Sequence, residues 1–250
     1  MGGAPEHAAT TSSDAGESPD PGTTPLDALG VIATQDVMIT PTLRHAEFFT
    51  MRGLMTVLWH EPLDGQDATG SPHPPAAIVA CGGAMGGLLG PAEGLYQRLG
   101  DTWSSRGVTV LRVDYRRPND IDSCCVDVAA AVQLAVVGGG AERVVVMGHS
   151  FGGAVAVRVG VGLAEMVAGV VTFATQSAGC EVAGGLGTRP LLMFHGDRDE
   201  ILPLQASEVV RAIAGTGELV VCPGDGHLLA HSRATIDEHL DPWLAQVLLG

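Results

Sequence analysis

Short apolar runs alternate with stretches of helical spacing over most of this chain of 250 residues. The runs are mostly continuous in their hydrophobicity, which is typical of strands that are covered on both faces. The stretches between them repeat apolar residues at the period of an α-helix. This alternation predicts a mostly parallel sheet between two layers of helices, an α/β fold. The predicted strands are 76–80, 108–113, 143–147, 167–173, 191–194 and 219–221, and the predicted helices are 91–105, 121–137, 151–163, 204–214 and 232–249.

Two runs rich in aromatic and β-branched residues, 47–51 and 54–59, precede these elements and are separated by an Arg-Gly pair. They predict an antiparallel hairpin that opens the sheet, which then has about eight strands. The sequence shows no internal repeat and no second domain. We therefore expect one domain over 35–250, and the polar, Pro- and Gly-rich composition before it predicts a disordered tail over 1–34.

The charged residues exclude several classes of protein. The chain has 13 basic and 28 acidic residues, and every basic residue is an arginine. Without lysine there is no Walker A loop, no Schiff-base lysine and no S-x-x-K pair. A net charge of −15 also disfavours nucleic acid and anionic membrane surfaces. We expect a small-molecule ligand, and the sequence predicts no particular oligomeric state.

Five cysteines without a C-x-x-C spacing, and a start that lacks a secretory signal, predict a cytoplasmic protein. His227 and His231 stand four residues apart, as on a zinc-binding helix. Leu228, however, replaces the glutamate of the H-E-x-x-H motif. We therefore expect no catalytic metal, and nothing in the sequence indicates a cofactor.

The strongest local motif is Gly-His-Ser-Phe-Gly at 148–152, between a predicted strand and a predicted helix. This is G-x-S-x-G in the strand-turn-helix context of a nucleophile elbow, where small neighbours allow a strained and closely packed turn. Ser150 is therefore the candidate nucleophile. The N-terminus of the following helix makes the N–H of Phe151 a candidate oxyanion donor. The alternative is a glycine-rich turn whose serine caps the helix.

Two later loops carry acidic and imidazole side chains at the ends of predicted strands. One strand leads into His-Gly-Asp-Arg-Asp-Glu at 195–200, and the last leads into Pro-Gly-Asp-Gly-His at 223–227. The carboxyl ends of parallel strands meet at one edge of a sheet, where the ligand crevice forms. His227 is therefore the candidate base, while His149 and His195 are expected to be structural. The candidate acids are Asp197, Asp199 and Glu200.

These motifs resemble the α/β-hydrolases, in particular compact uncapped esterases similar to dienelactone hydrolases. The resemblance runs from about residue 48 to the C-terminus. In that family a strand is followed by His-Gly, two variable residues, Asp and a later Pro, which implies Asp199 as the acid. The family's Gly-x-Gly-His implies His227 as the base.

The resemblance also implies an oxyanion-hole turn at Cys-Gly-Gly-Ala, 81–84. Gly83 would supply the second N–H donor, with Ala84 as the alternative. Cys81 stands where the family usually has histidine.

We therefore expect a serine hydrolase that cleaves a small carboxylic ester through an acyl-enzyme. His227 would take the proton of Ser150, and Asp199 would orient His227. A thioesterase or a peptidase with the same triad, or a non-catalytic ligand-binding protein of this fold, are the alternatives.

The interval between 173 and 191 is too short for a helical cap, so we expect an open site. A substrate carboxylate could pair with Arg116 or Arg117, although such arginines are more often solvated. The residues that follow the oxyanion turn and the predicted strand 167–173 predict that the wall of the binding site is mostly apolar. The predicted substrate-binding residues are Met85, Leu88, Tyr96, Thr175 and Gln176.

Overall fold

The computed structural model describes residues 23–62 and 75–250. Within these residues the strands are β1 (Val31–Thr40), β2 (Leu43–Thr50), β3 (Gly53–His60), β4 (Ala76–Cys81), β5 (Val108–Asp114), β6 (Arg143–His149), β7 (Val167–Phe173), β8 (Leu191–Gly196) and β9 (Glu218–Cys222). The α-helices are α1 (Pro25–Leu29), α2 (Pro91–Ser104), α3 (Ile121–Gln133), α4 (Phe151–Gly162), α5 (Gln205–Ala214) and α6 (Arg233–Leu249).

All nine strands form one sheet in the order β1-β2-β3-β5-β4-β6-β7-β8-β9. The first three strands pair antiparallel, β3 pairs antiparallel with β5, and the remaining pairs are parallel. The predicted α/β fold with a mostly parallel sheet is confirmed. The sheet has one strand more than expected, because β1 precedes the predicted hairpin of β2 and β3. All ten residues of β1 are exposed, so its sequence lacks the buried face that reveals a strand.

The boundary predicted between residues 34 and 35 falls inside β1 and is corrected here. Residues 25–29 form α1, which Thr24 and Asp27 cap through reciprocal hydrogen bonds. Leu29 is buried, and its carbonyl oxygen accepts a hydrogen bond of 2.9 Å from Arg116 Nη1. The part of the predicted tail from residue 23 to 34 is thus structured. The rest of it lies outside the described residues.

The sheet separates two hydrophobic cores. Successive side chains of a strand point to opposite faces, so Val79 and Val146 join one core and Ile78 and Val145 join the other. The first core packs against α1, α3, α4 and α5, and the second packs against α2 and α6.

The apolar stretch 121–138 comprises α3 and a following π-helical turn, with a mean hydropathy of 1.7 over 18 residues. By length and composition alone it could cross a membrane. In this fold Cys124, Val128 and Ala131 of α3 are fully buried in the first core. Packing against the sheet accounts for its hydrophobicity.

Between β7 and β8 the chain forms loops and one 3-10 turn, Ala183–Leu186. A segment of this length cannot build a helical cap. The prediction of a fold without a sizeable cap is confirmed for residues 23–62 and 75–250.

The first turn of α2 is left-handed, since Ala92, Glu93 and Gly94 have φ angles of 49°, 56° and 82°. The N–H of Ala92 donates to the carbonyl oxygen of Leu228 at 2.8 Å. Arg98 Nη1 donates to the carbonyl oxygens of Ala92 and Glu93 at 2.5 and 3.0 Å. These bonds hold an unfavourable backbone conformation next to the loop that carries His227.

Candidate active site

Ser150 occupies a strained turn between β6 and α4. Its φ and ψ are 57° and −119°, a region that non-glycine residues rarely adopt. Its N–H donates to Phe173 O at 2.8 Å, and its carbonyl oxygen accepts from Gly153 N at 3.0 Å. Its side chain makes no capping hydrogen bond to α4. This geometry therefore disfavours the alternative in which Ser150 only caps the helix.

Two glycines make the turn possible because other backbone atoms occupy the space where a side chain would begin. A Cβ atom on Gly148 would lie 1.9 Å from Gly152 O. A Cβ atom on Gly152 would lie 2.1 Å from Gly82 O. The G-x-S-x-G spacing thus reflects close contact of β6, α4 and the turn after β4.

Asp199 and His227 lie on the loops after β8 and β9 and form a hydrogen-bonded pair. His227 Nδ1 is 2.7 Å from Asp199 Oδ2. Asp199 Oδ1 accepts hydrogen bonds of 2.8 Å from the N–H groups of both Ile201 and Leu202. Burial by itself raises the pKa of Asp199, but the hydrogen bonds from Leu202, His227 and Ile201 outweigh it and hold the pKa below its usual range. An anionic Asp199 places the proton of His227 on Nδ1 and leaves Nε2 as an acceptor.

Neither of the two other candidate acids forms a hydrogen bond or an ion pair with His227, whose carboxylate partner is Asp199. Asp197 is exposed, and its Oδ1 accepts a hydrogen bond of 2.6 Å from Gly224 N. Glu200 is exposed as well. Among the three carboxylates of this loop, the structure pairs Asp199 with the imidazole.

His195 is fully buried behind Asp199. Its Nδ1 is 2.7 Å from Ser207 Oγ, and its Nε2 is 2.9 Å from Leu202 O and 3.3 Å from Asp199 Oδ2. It thus supports the loop that holds Asp199. No motif in the sequence indicates its contact with Ser207.

His149 packs against the other side of His227. Its Nε2 donates to the carbonyl oxygen of His227 at 2.9 Å, and the two rings are 4.8 Å apart. Burial lowers the pKa of His149 to about 4, so it is neutral at pH 7. Since Ser150 follows His149 directly, this contact brings the elbow and the His227 loop together.

The turn after β4 lies beside Ser150. A Cβ atom on Gly83 would be 3.6 Å from Ser150 Cβ. Cys81 stands where the family that the sequence resembles usually has histidine. It is buried, and its thiol donates to Met147 O and Gly152 O at 3.5 and 3.6 Å. Burial raises the pKa of Cys81 to about 12, which makes it a packing residue rather than a nucleophile.

Two of the predicted substrate-binding residues, Tyr96 and Thr175, are corrected because both are fully buried. Tyr96 packs its ring under Gly90 and donates its hydroxyl to Cys81 O. Thr175 lies against the position where a side chain of Gly153 would begin. In the sequence Tyr96 follows the oxyanion turn and Thr175 follows β7, but neither position indicates that the side chain points inward.

The other predicted substrate-binding residues are more accessible. Met85 is 92% exposed, and Leu88 and Gln176 are half-buried. The N–H of Gln176 is 3.4 Å from Ser150 O, which places it beside the elbow. Leu88 accepts a hydrogen bond from Arg112 through its carbonyl oxygen.

The two arginines considered for a substrate carboxylate differ in exposure. Arg116 is buried and pairs with Asp127, so it is structural and the hypothesis fails for it. Arg117 is exposed, 3.7 Å from Asp120.

A groove of about 420 Å³ runs beside His227. It is formed by the loops after β8 and β9, not by the predicted substrate-binding residues. The side chains of Ile201 and Leu228 at its rim are 69% and 63% exposed. The residues that line the groove are Arg198, Glu200, Ile201, Gly224, Asp225, Gly226, His227, Leu228, Ala230 and His231.

Within 23–62 and 75–250, no group of three or more His, Cys, Asp or Glu side chains could hold a metal ion.

Strained backbone is concentrated at this edge of the sheet. In the part of the chain that the structure describes, six non-glycine residues have a positive φ, and each follows the carboxyl end of a parallel strand. Conformations of this kind persist where the surrounding structure enforces them, often at functional sites. The six are Ala92, Glu93, Asn119, Ser150, Ala174 and Leu229.

Comparison with known proteins gives structural but not sequence relatives, since no family model and no curated protein matches the chain. Est1E from Butyrivibrio proteoclasticus is similar with a TM-score of 0.65 and 17% identity, over 81% of this chain and 98% of that one. XC6422 from Xanthomonas campestris, described as an α/β serine hydrolase without lid, has a TM-score of 0.62 and 18% identity, over 83% and 97% of the two chains. A cold-adapted esterase from an Arctic intertidal metagenomic library has a TM-score of 0.65 and 16% identity, over 86% and 97%. The strand order, the elbow after β6 and these neighbours agree, and the chain therefore has the α/β-hydrolase fold.

Proposed function

We propose that this protein is a serine hydrolase that cleaves a small carboxylic ester, with Ser150 as nucleophile, His227 as base and Asp199 as the acid that orients it. The observation that carries the proposal is the 2.7 Å hydrogen bond between Asp199 and His227, on the edge of the sheet where Ser150 occupies the strained elbow. Structural neighbours described as serine hydrolases and an esterase support it.

In the proposed reaction, His227 Nε2 accepts the proton of Ser150 as Oγ attacks the carbonyl carbon of the ester. Asp199 stabilises the imidazolium that forms. The imidazolium then protonates the leaving alcohol, and the acyl group stays on Ser150. Water, deprotonated by His227, attacks the acyl-enzyme, and Ser150 leaves with the proton restored.

The negative oxygen that develops in both steps needs hydrogen-bond donors. We assign them to the N–H groups of Phe151 and Gly83. Phe151 is the first residue of α4, so its N–H has no partner within the helix. Removal of one such donor typically costs about 10²- to 10³-fold in kcat.

Labelling with a fluorophosphonate tests the nucleophile. We expect modification of wild-type protein at Ser150 and none in Ser150→Ala. Ser207→Ala is the matched control, because Ser207 Oγ lies 2.7 Å from His195 Nδ1 and yet the side chain is fully buried. It should be labelled as fully as wild type at Ser150. Labelling at another serine, or full labelling of Ser150→Ala, would refute the assignment.

A panel of substrates tests the leaving group. Matched esters, thioesters and amides with the same short acyl group should be hydrolysed by wild type and not by Ser150→Ala. We expect the highest kcat/KM for the esters. Faster cleavage of thioesters or amides would identify a thioesterase or a peptidase, and no turnover of any would favour a ligand-binding role.

We also propose a cellular compartment for this protein. All five cysteines are free and four are buried, which fits a reducing compartment such as the cytoplasm.

A further inference from the structure

The chain contains two tyrosines, and both direct their hydroxyls at the turn that follows β4. Tyr96 Oη donates to Cys81 O at 2.9 Å, and Tyr115 Oη donates to Gly82 O at 2.9 Å. Both side chains are buried, with 0% and 4% exposure. Two successive carbonyl groups of the turn therefore each have a buried phenol as partner.

The peptide bond links these carbonyl groups to the N–H groups of the next residues. A trans peptide is planar, and its C=O and N–H point in opposite directions. The carbonyl oxygen of Gly82 and the N–H of Gly83 belong to one such plane. A phenol that fixes the direction of Gly82 O therefore also fixes the direction of the Gly83 N–H, which we assigned to the oxyanion.

The same hydrogen bond changes the strength of the donor. When a carbonyl oxygen accepts a hydrogen bond in a dry environment, its peptide becomes more polarised and its N–H becomes a better donor. Burial raises the pKa of both Tyr96 and Tyr115 well above 10, so both phenols keep their protons at the pH of an ester assay.

Tyr115 also reaches the second proposed donor. Its ring meets the ring of Phe151 edge-on, with centroids 6.3 Å apart at 85°. Gly82 O is pressed against Gly152 of the elbow, and Gly83 lies beside Ser150. One side chain thus contacts the peptide of Gly83 and the residue that carries the other donor.

We propose that Tyr115 is a positioning residue that orients and polarises the Gly83 N–H toward the oxyanion, with Tyr96 holding the preceding peptide. This inference rests on the proposed hydrolase function. The proposal concerns Gly83 and not Ala84, because the carbonyl group that Tyr115 holds is in the same peptide as the Gly83 N–H.

Kinetics of Tyr115→Phe test the proposal. We expect kcat to fall about tenfold, since the donor is misdirected rather than removed, while KM changes less than about twofold. Affinity for a trifluoromethyl ketone, which forms a tetrahedral adduct, should fall by the same factor as kcat. Val128→Ala is the control for lost stability, because Val128 is buried in the same core as Tyr115 and its side chain has no group that could hydrogen-bond to the turn; it should keep kcat and inhibitor affinity. Unchanged kcat and affinity in folded Tyr115→Phe would overturn the proposal.

A spectroscopic test does not depend on turnover. Biosynthetic 3-fluorotyrosine gives two ¹⁹F resonances, and the one that remains in Tyr96→Phe belongs to Tyr115. Formation of the fluorophosphonate adduct on Ser150 should shift the Tyr115 resonance, whereas the same treatment of Ser150→Ala should not. No shift in a fully labelled sample would overturn the proposal.

The two proposals fail in distinguishable ways. If Ser150→Ala still hydrolyses esters, the assigned nucleophile is wrong whatever Tyr115 does. If Ser150 is labelled and required but Tyr115→Phe behaves like wild type, only the role of Tyr115 is wrong.

Discussion

Residues of the proposed triad are held in place by the backbone as much as by one another. Asp199 uses one carboxylate oxygen for His227 and the other for two backbone N–H groups. The backbone bonds fix the carboxylate, and the carboxylate then fixes the imidazole. Asp197, two residues away, uses its carboxylate for Gly224 and so contributes to the loop alone.

We therefore expect Asp199→Asn to lower kcat on the order of 10⁴-fold, the usual effect of giving the base a wrong tautomer. Asp197→Asn should lower kcat only a few-fold, because the amide oxygen can still accept from Gly224 N. The comparison needs kcat for both variants with one ester. A larger loss in Asp197→Asn than in Asp199→Asn would move the acid to Asp197.

The sequence predicted site residues where a motif ties a residue type to a backbone shape. Ser150 has such a motif, and the family spacing selects Asp199 from three carboxylates. The prediction that Tyr96 binds substrate is wrong, because nearness to the oxyanion turn does not indicate which way a side chain points. The sequence does not indicate a role for Tyr115, because its partner is a backbone carbonyl group and every residue has one.

Elements of this fold differ in how visible they are in the sequence. The parallel strands are apolar because both of their faces are covered, and this made them predictable. β1 has no covered face and was missed. The left-handed start of α2 was invisible too, because Pro91 at the first position is typical of an ordinary helix.

The left-handed turn makes an unusual prediction about Gly94. In an ordinary helix, Gly→Ala stabilises by about 1 kcal/mol. At Gly94 the φ angle is +82°, and no atom lies within 4 Å of an added Cβ, so only the backbone conformation matters. Gly94→Ala should therefore destabilise the protein by about 1 kcal/mol, measured by chemical or thermal unfolding.

Gly162, in α4, is the matched control. It also has no atom within 4 Å of an added Cβ, but its φ is not positive. Gly162→Ala should be neutral or stabilising. If both variants stabilise the protein, α2 begins as a right-handed helix.

The whole molecule should become less stable in mild acid because two histidines are buried in neutral form. Burial, with help from Arg112, lowers the pKa of His60 to about 4, and burial lowers the pKa of His149 to about 4. Between the ordinary pKa of 6.5 and about 4, the unfolded chain binds more protons at these sites than the folded chain. The free energy of unfolding should therefore fall as the pH is lowered through this window, by on the order of a few kcal/mol.

Urea unfolding at pH 7 and pH 4.5 would measure this loss. His60→Asn should lose less stability between the two pH values than wild type, since one of the two proton-binding differences is gone. His231, whose side chain is 90% exposed, provides the control, and His231→Asn should match wild type. An unchanged pH dependence in His60→Asn would exclude His60 as a source of the acid sensitivity.

The clustering of positive φ angles at one edge of the sheet has a consequence for how this protein can change. Strained residues of this kind cost on the order of 1 kcal/mol or more each, and a domain has only about 5–15 kcal/mol of net stability. Selection for heat resistance alone would relax these residues first, by replacing them with glycine or by remodelling their loops. The same changes would loosen the elbow and the histidine loop. We therefore expect changes at the carboxyl edge of the sheet that raise thermal stability to lower the catalytic rate.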